Sequence, residues 1–305
     1  MLSSILHDSG CVLPSDLLRP SLTNTKGFYE SWHWVNANDK ILKVIGLKWD
    51  SVTPTPKAIE TGSFIKSKKD LVIQSIVSAF SDCTDLDVPV IKDPRICRTF
   101  PIWENALQEL GFKMKLLMPI RHPFEVIHSL VLRDGLSPLE SCYVWIWNVV
   151  ESIIFSKEQV PKIVLYDKVL QNPTTYLSKI LPDVVDEKSS RLVDNTLNHN
   201  SKARGYYNKN QEPFLTAIDL FEKIQESPTP SLELIEFCTK LRFHSQYVAA
   251  KESRKNKRMI QGLLKNSFRE KKQKQKNLAK EILNHSFLSQ MNIKNLSKIF
   301  SFLRK

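Results

Sequence analysis

A chain of 305 residues, 42% hydrophobic and 25% charged, is long enough for one sizeable core, or for one core with a helical appendage. No apolar run approaches the ~20 residues of a membrane helix. Met1–Leu13 lacks the basic start of a secretory leader, so a cytoplasmic, soluble protein is expected. The net charge of +12 says little about the body of the chain, because Lys251–Lys280 alone holds 12 Lys and Arg against 2 Glu.

In chain order, Ser3–Leu6 opens a short helix that stops near Gly10. Glu30–Val44 and Lys69–Phe80 carry helical spacing. Val88–Lys92 reads as a strand running into the turn Asp93-Pro94. Pro101–Leu110 is a helix ended by Gly111, and Lys113–Ile120 a second buried strand. Pro123–Leu132 is a helix with His122 near its cap, Pro123 at its first position and Glu125 in its first turn. Pro138–Phe155 is a longer helix, Lys162–Tyr166 a third strand, and a further helix follows the turn at Gln171-Asn172-Pro173. Strands alternating with helices over short connections predict an α/β fold, a parallel sheet flanked by helices. Ligands on such sheets bind beyond the carboxyl ends of the strands. The predicted organisation is an α/β domain over 1–205, a linker over 206–231, where Asn208–Glu212 and Ser227–Ser231 read as breaks, and a basic helical extension over 232–305. Within that extension, Lys271–Lys276 is polar on all sides and reads as a solvated helix or a partly disordered run.

The five cysteines are scattered, odd in number and never spaced C-x-x-C, which reads as free thiols. Histidines and cysteines do not cluster at zinc-ligand spacing, so no metal is expected.

Three short constellations carry candidate chemistry. In Pro119–Ser129, Arg121 ends a strand beside the N-terminus of a helix, which suits an anion, although a surface salt bridge is the plainer alternative. In Val90–Arg95, Lys92, Asp93 and Arg95 crowd a tight turn. They form either an ion network or a device that stabilises negative charge developing on a transferring group. In Thr25–Glu30, a Gly-aromatic turn precedes Glu30, and helix capping is the bland explanation.

Taken together and in this order, these pieces resemble the nucleotide-dependent sulfotransferases, in particular the bacterial branch acting on carbohydrates or small molecules. The resemblance covers roughly residues 1–200 and rests on Asn24–Glu30, Trp49-Asp50, Lys92–Arg95 with Pro101 and Trp103, and Arg121 with Pro123, Glu125 and Ser129. Arg133-Asp134-Gly135 with Trp145, and Tyr166-Asp167 with Asn172-Pro173, complete it. It implies a P-loop-NTPase-like fold and transfer of a sulfonate from 3′-phosphoadenosine-5′-phosphosulfate to an acceptor hydroxyl, without a metal. On this resemblance Arg121 and Ser129 hold the donor's 3′-phosphate, Arg95 contributes to the donor site, and Lys92 assists the leaving phosphate. Glu30 is the base that takes the acceptor proton, with Asp93 as its rival.

One part of the family pattern is missing. Nothing in the chain resembles the strand and the glycine-containing loop, approximately Arg-Ser-Gly-Thr-Ser, that cradle the 5′-phosphosulfate. Met1–Cys11 resembles the helix that would follow that loop, so an N-terminally truncated product is expected, with an exposed sheet edge, poor binding of adenosine 3′,5′-bisphosphate and little transfer. The alternatives are a non-catalytic remnant or binding protein of the same fold, or a polyanion-binding protein acting through its basic tail. Nucleic acid is not expected as a partner, because the tail lacks interleaved aromatics apart from Phe268. The acceptor is a hydroxyl compound, with a glycan as one option. Trp32, Trp34, Trp145 and Trp147 read as core rather than as sugar platforms.

Overall fold

The computed structural model describes residues 1–20, 24, 27–84, 87–185, 201–205, 207–208, 211–245 and Gln273. The chain divides into a unit over Met1–Gln246 and a second over Tyr247–Lys305. The basic run Lys251–Lys280, with its polar stretch Lys271–Lys276, lies outside the described residues apart from Gln273. The first unit mixes helix and strand, is mostly helical, and contains a small two-stranded parallel sheet.

The helices are α1 (Leu2–Asp8), α2 (Trp32–Val44), α3 (Gly62–Ala79), α4 (Ile96–Glu109), α5 (Pro123–Asp134), α6 (Pro138–Ser156), α7 (Tyr166–Gln171), α8 (Pro173–Ile180) and α9 (Phe214–Gln225). Residues 232–245 form α10. The strands β1 (Leu117–Ile120) and β2 (Lys162–Leu165) pair in parallel, with Leu117 opposite Lys162 and Ile120 opposite Leu165.

Four helix starts follow from side chains that occupy the first free N–H groups. Ser31 caps α2, Thr61 caps α3, and Ser137 with Glu140 closes a capping box at α6. The His122 ring accepts from Phe124 N–H at 3.2 Å and caps α5, whose first residue is Pro123. Gly135, in the left-handed region at φ 70°, ends α5.

Several elements differ from the sequence expectation. Val88–Lys92 is extended but is not a sheet strand: among the described residues its one β-bridge joins Pro89 to Val12, through two 2.9 Å bonds. Pro14, two residues past Val12, has no N–H to carry that ladder on to Val90 O. β1 covers only the last four residues of Lys113–Ile120. The bond from Lys162 N–H to Leu116 O (2.9 Å) sets the alternation along β1, so Pro119 lies where its missing N–H faces away from β2. Helix α4 begins at Ile96 with Pro101 in its interior, not at Pro101. Asp93 explains the earlier start, because its carboxylate binds Arg95 N–H at 2.9 Å and its carbonyl accepts from Ile96 N–H at 3.1 Å. The span 206–231 is not simply a linker. It contains α9, whose Phe214, Ala217, Leu220, Phe221 and Ile224 are buried. Their apolar stripe needs a core to bury against, and α10 joins the same core through Leu234 and Cys238.

The buried apolar residues form three clusters. One gathers β1, β2, α5, α6, α9 and α10 around Phe124, Ile153 and Leu220. A second packs α2, α3 and α4 around Trp34 and Trp103. A third sets α1, α7 and α8 against Val164 of β2, with Val90 on its margin. Among the described residues no helix is long and apolar enough to cross a membrane.

Candidate functional site

Glu30 reaches its place through the backbone. Leu18 N–H donates to Glu30 O at 2.8 Å, Trp32 N–H to Asp16 O at 3.1 Å, and Leu17 bridges antiparallel to Ser31. The turn before it is closed from Gly27 N–H to Asn24 O (3.1 Å) and from Asn24 Nδ2 to Gly27 O (2.8 Å). Tyr29 then sits at φ 57°, in the left-handed region, where a side chain other than glycine is strained. Such strain gathers where the surrounding structure holds a functional residue in a set direction. Tyr29 immediately precedes Glu30, which is 5% exposed.

Lys92, 62 positions further along, ion-pairs with Glu30 Oε1 and also donates to Phe28 O at 3.1 Å. Its side chain keeps 41% exposure, so the cation lies between the buried carboxylate and solvent. Arg95 closes the group from the other side. Its Nη1 lies 3.6 Å from Glu30 Oε2 and 3.0 Å from Asp93 Oδ1, and its Nε donates to Asp39 Oδ1 at 2.7 Å. Burial raises the Glu30 carboxyl above the usual carboxylate range; Lys92 and Arg95 pull it down and Asp93 pushes it up.

Asp93 has a different place from Glu30. Its side chain is fully buried and already accepts from Arg95 N–H, Arg95 Nη1 and, at 2.9 Å, Asn38 Nδ2. Asn38 is itself held through Oδ1 by Thr99 Oγ1 (2.7 Å) and Trp103 Nε1 (2.8 Å). The geometry thus makes Asp93 an orienter of Arg95 and leaves Glu30 as the carboxylate facing Lys92.

The second group lies past β1. Arg121 Nε donates to Glu125 Oε2 at 2.8 Å, and its guanidinium stands 4.6 Å over the Tyr166 ring. Its carbonyl is held by Trp145 Nε1 at 3.3 Å. The Nη2 atom of Arg121 is buried and has no hydrogen-bond partner among the described residues. That orphaned donor is the observation that fits an anion such as a phosphate. Glu125, fully buried, also takes Arg204 Nε at 2.6 Å, and Arg204 Nη2 binds Asp167 at 2.7 Å. Ser129 is half-buried one turn beyond Glu125 on the same face of α5.

The structure therefore brings Glu30, Lys92, Asp93 and Arg95 together, and sets Arg121 in the connection between β1 and α5, the helix that carries Ser129. Sequence reading missed Asn38, Asp39 and Arg204. Asn38 had a signal, because it is the polar member of the helical stripe Trp34, Asn38, Ile41, all buried. Arg204 had none, since its partners lie 79 and 37 positions away. Trp34, Trp145 and Trp147 are core, as read, but Trp32 is 57% exposed. Among the described residues no group of three His, Cys, Asp or Glu could hold a metal ion. No protein-family profile, curated protein or solved structure matches this chain.

Proposed function

We propose that Glu30, Lys92 and Arg95 form the reacting centre of a sulfotransferase, within a P-loop-NTPase-like fold, that passes a sulfonate from 3′-phosphoadenosine-5′-phosphosulfate to the hydroxyl of a carbohydrate or small-molecule acceptor. The observation that carries the reading is the ion pair of a buried carboxylate with a half-exposed lysine, assembled from two distant chain segments. A carboxyl raised by burial is a better proton acceptor near neutral pH than an exposed one. Glu30 takes the acceptor proton. Lys92 offers its ammonium to negative charge developing on the leaving phosphate. Arg95, locked by Asp93 and Asp39, holds the Glu30 carboxylate from behind. The Nη2 of Arg121, buried and without a hydrogen-bond partner among the described residues, supports its assignment to the 3′-phosphate, with Ser129 on α5, the helix that follows it. The donor supplies the activated sulfur, and the residues named here supply binding and proton transfer.

The test is binding of adenosine 3′,5′-bisphosphate by calorimetry, together with transfer from labelled donor to a panel of hydroxyl acceptors. Arg121→Ala should weaken nucleotide binding at least tenfold. Measured against the weak binding and low transfer expected of a chain without a recognisable 5′-phosphosulfate loop, Lys92→Met should lower transfer about 10²–10³-fold, and Glu30→Gln about 10²–10⁴-fold, with binding retained. No nucleotide binding by the unsubstituted chain, or binding indifferent to Arg121→Ala, would overturn the donor assignment. Binding without transfer to any acceptor would favour a binding protein of this architecture.

A further inference from the structure

A second buried carboxylate lies away from this centre, and the proposed chemistry does not use it. Glu151, in the middle of α6, is fully buried. Its Oε1 accepts from Thr55 N–H at 2.7 Å, and Arg242 Nε lies 3.5 Å from that oxygen. Its Oε2 is buried without a hydrogen-bond partner among the described residues. Arg242, whose side chain is 8% exposed, belongs to α10 near the end of the first unit. Its Nη2 donates to Thr55 O (3.1 Å) and Glu60 Oε1 (2.8 Å), and its guanidinium lies 4.7 Å over the Phe155 ring. One cluster thus joins α6, the chain around Thr55–Glu60, and α10.

We propose that Glu151 and Arg242 form a proton-controlled latch that holds the end of α10 on the body, tight when Glu151 carries a proton and loosened when it loses one. The asymmetry of the contacts supports this. Arg242 keeps Glu60 and the Thr55 carbonyl through Nη2 whether or not Glu151 is charged, and its buried Nε has no hydrogen-bond partner among the described residues even when Glu151 is ionised, so protonation costs it no hydrogen bond. Ionised Glu151, by contrast, has a buried oxygen with no hydrogen-bond partner among the described residues and faces Arg242 at 3.5 Å without a hydrogen bond. The other groups acting on it are Arg98 and Cys97 from α4 and Glu60 from the 57–60 turn. Arg98 is engaged with Ser51 O, Thr53 O and Asn148 Oδ1. Burial pushes the Cys97 thiol up to about 12, so it stays neutral throughout the relevant range.

Burial likewise raises the Glu151 carboxyl from 4.5 to about 7, against the pull of Arg242 and the Thr55 amide. When the end of α10 opens, water reaches Oε2 and the carboxyl ionises in its ordinary range. Opening therefore releases a proton, and it becomes easier as pH rises between about 4.5 and 7, by at most on the order of 10²-fold.

The experiment is native-state hydrogen exchange on the full chain, following amides 238–245 between about pH 5.5 and 7.5 as protection factors corrected for intrinsic rates. Protection should fall about tenfold or more over this range in the unsubstituted protein and stay level in Glu151→Gln. A level profile in the unsubstituted protein, or a parallel fall in Glu151→Gln, would falsify the latch. Should Glu151→Gln fail to fold, the carboxyl carbon of Glu151 can be titrated directly by NMR. A midpoint near 7 supports the proposal, and one below about 5 overturns it.

Discussion

At the Glu30 carboxyl, burial and two neighbouring cations act in opposite directions, and burial prevails. Lys92 is the largest opposing influence, so Lys92→Met should raise the Glu30 pKa further, which NMR titration of the carboxyl carbon would read. An unchanged or lowered midpoint would show that the pair does not persist in solution. Asp93 behaves differently because Asn38 and Arg95 already occupy both of its carboxylate oxygens. Asp93→Ala strips buried Asn38 Nδ2 of its acceptor and frees Arg95 from its seat. A loss of about 1–3 kcal/mol in urea denaturation is expected, beyond any effect on transfer. Glu30→Gln, which keeps the shape of the side chain, should cost less. Equal losses for the two would erase the distinction between orienter and proton acceptor.

Among the elements, α6 shows how a local signal and a tertiary role combine. Ser137 and Glu140 cap its start reciprocally, so Ser137→Ala should cost about 1 kcal/mol. Ile153, fully buried in the same helix, should cost about 2–5 kcal/mol when cut to Ala. Denaturation midpoints that reversed this order would mean that α6 is held by its end and not by its face. The start of α6 was readable because capping chemistry is local. The start of α4 was not: Pro101 reads as a first-turn residue, yet Asp93 begins the helix earlier and the core accepts the one backbone bond that Pro101 lacks. Val88–Lys92 was misread for a related reason. An apolar run has strand character, but a sheet also requires a neighbour with free N–H and C=O groups in register.

At the scale of the molecule, two buried acids among the described residues bear on the pH response. Glu30 and Glu151 both have raised pKa values, so the folded state holds protons that the unfolded chain releases. The sign follows directly. Their contribution to stability is full below about 4.5 and is lost as pH rises, through about 7 for Glu151. Chemical denaturation between about pH 5.5 and 7.5 should therefore show stability falling with pH, and a Glu30→Gln, Glu151→Gln double variant should remove most of that slope. A slope that survives in the double variant would place its origin in other groups.

Much of the candidate site was legible in the chain. Lys92, Asp93 and Arg95 could be named because three charges in one tight turn are hard to explain as packing, whereas Glu30 and Arg121 had plainer local explanations and were singled out through the family resemblance. The helical periodicities, the caps of α5 and the parallel pairing of β1 with β2 were legible for the same local reasons. Tertiary structure alone decided which acid faces Lys92, since sequence spacing does not say which carboxylate is already saturated by buried donors. It also decided that Arg204 shares Glu125 with Arg121, that α9 belongs to the core, and that Trp32 alone of the four tryptophans Trp32, Trp34, Trp145 and Trp147 faces solvent. Local chemistry is written in neighbours along the chain, whereas burial and the partnering of charges depend on what the folded chain brings alongside.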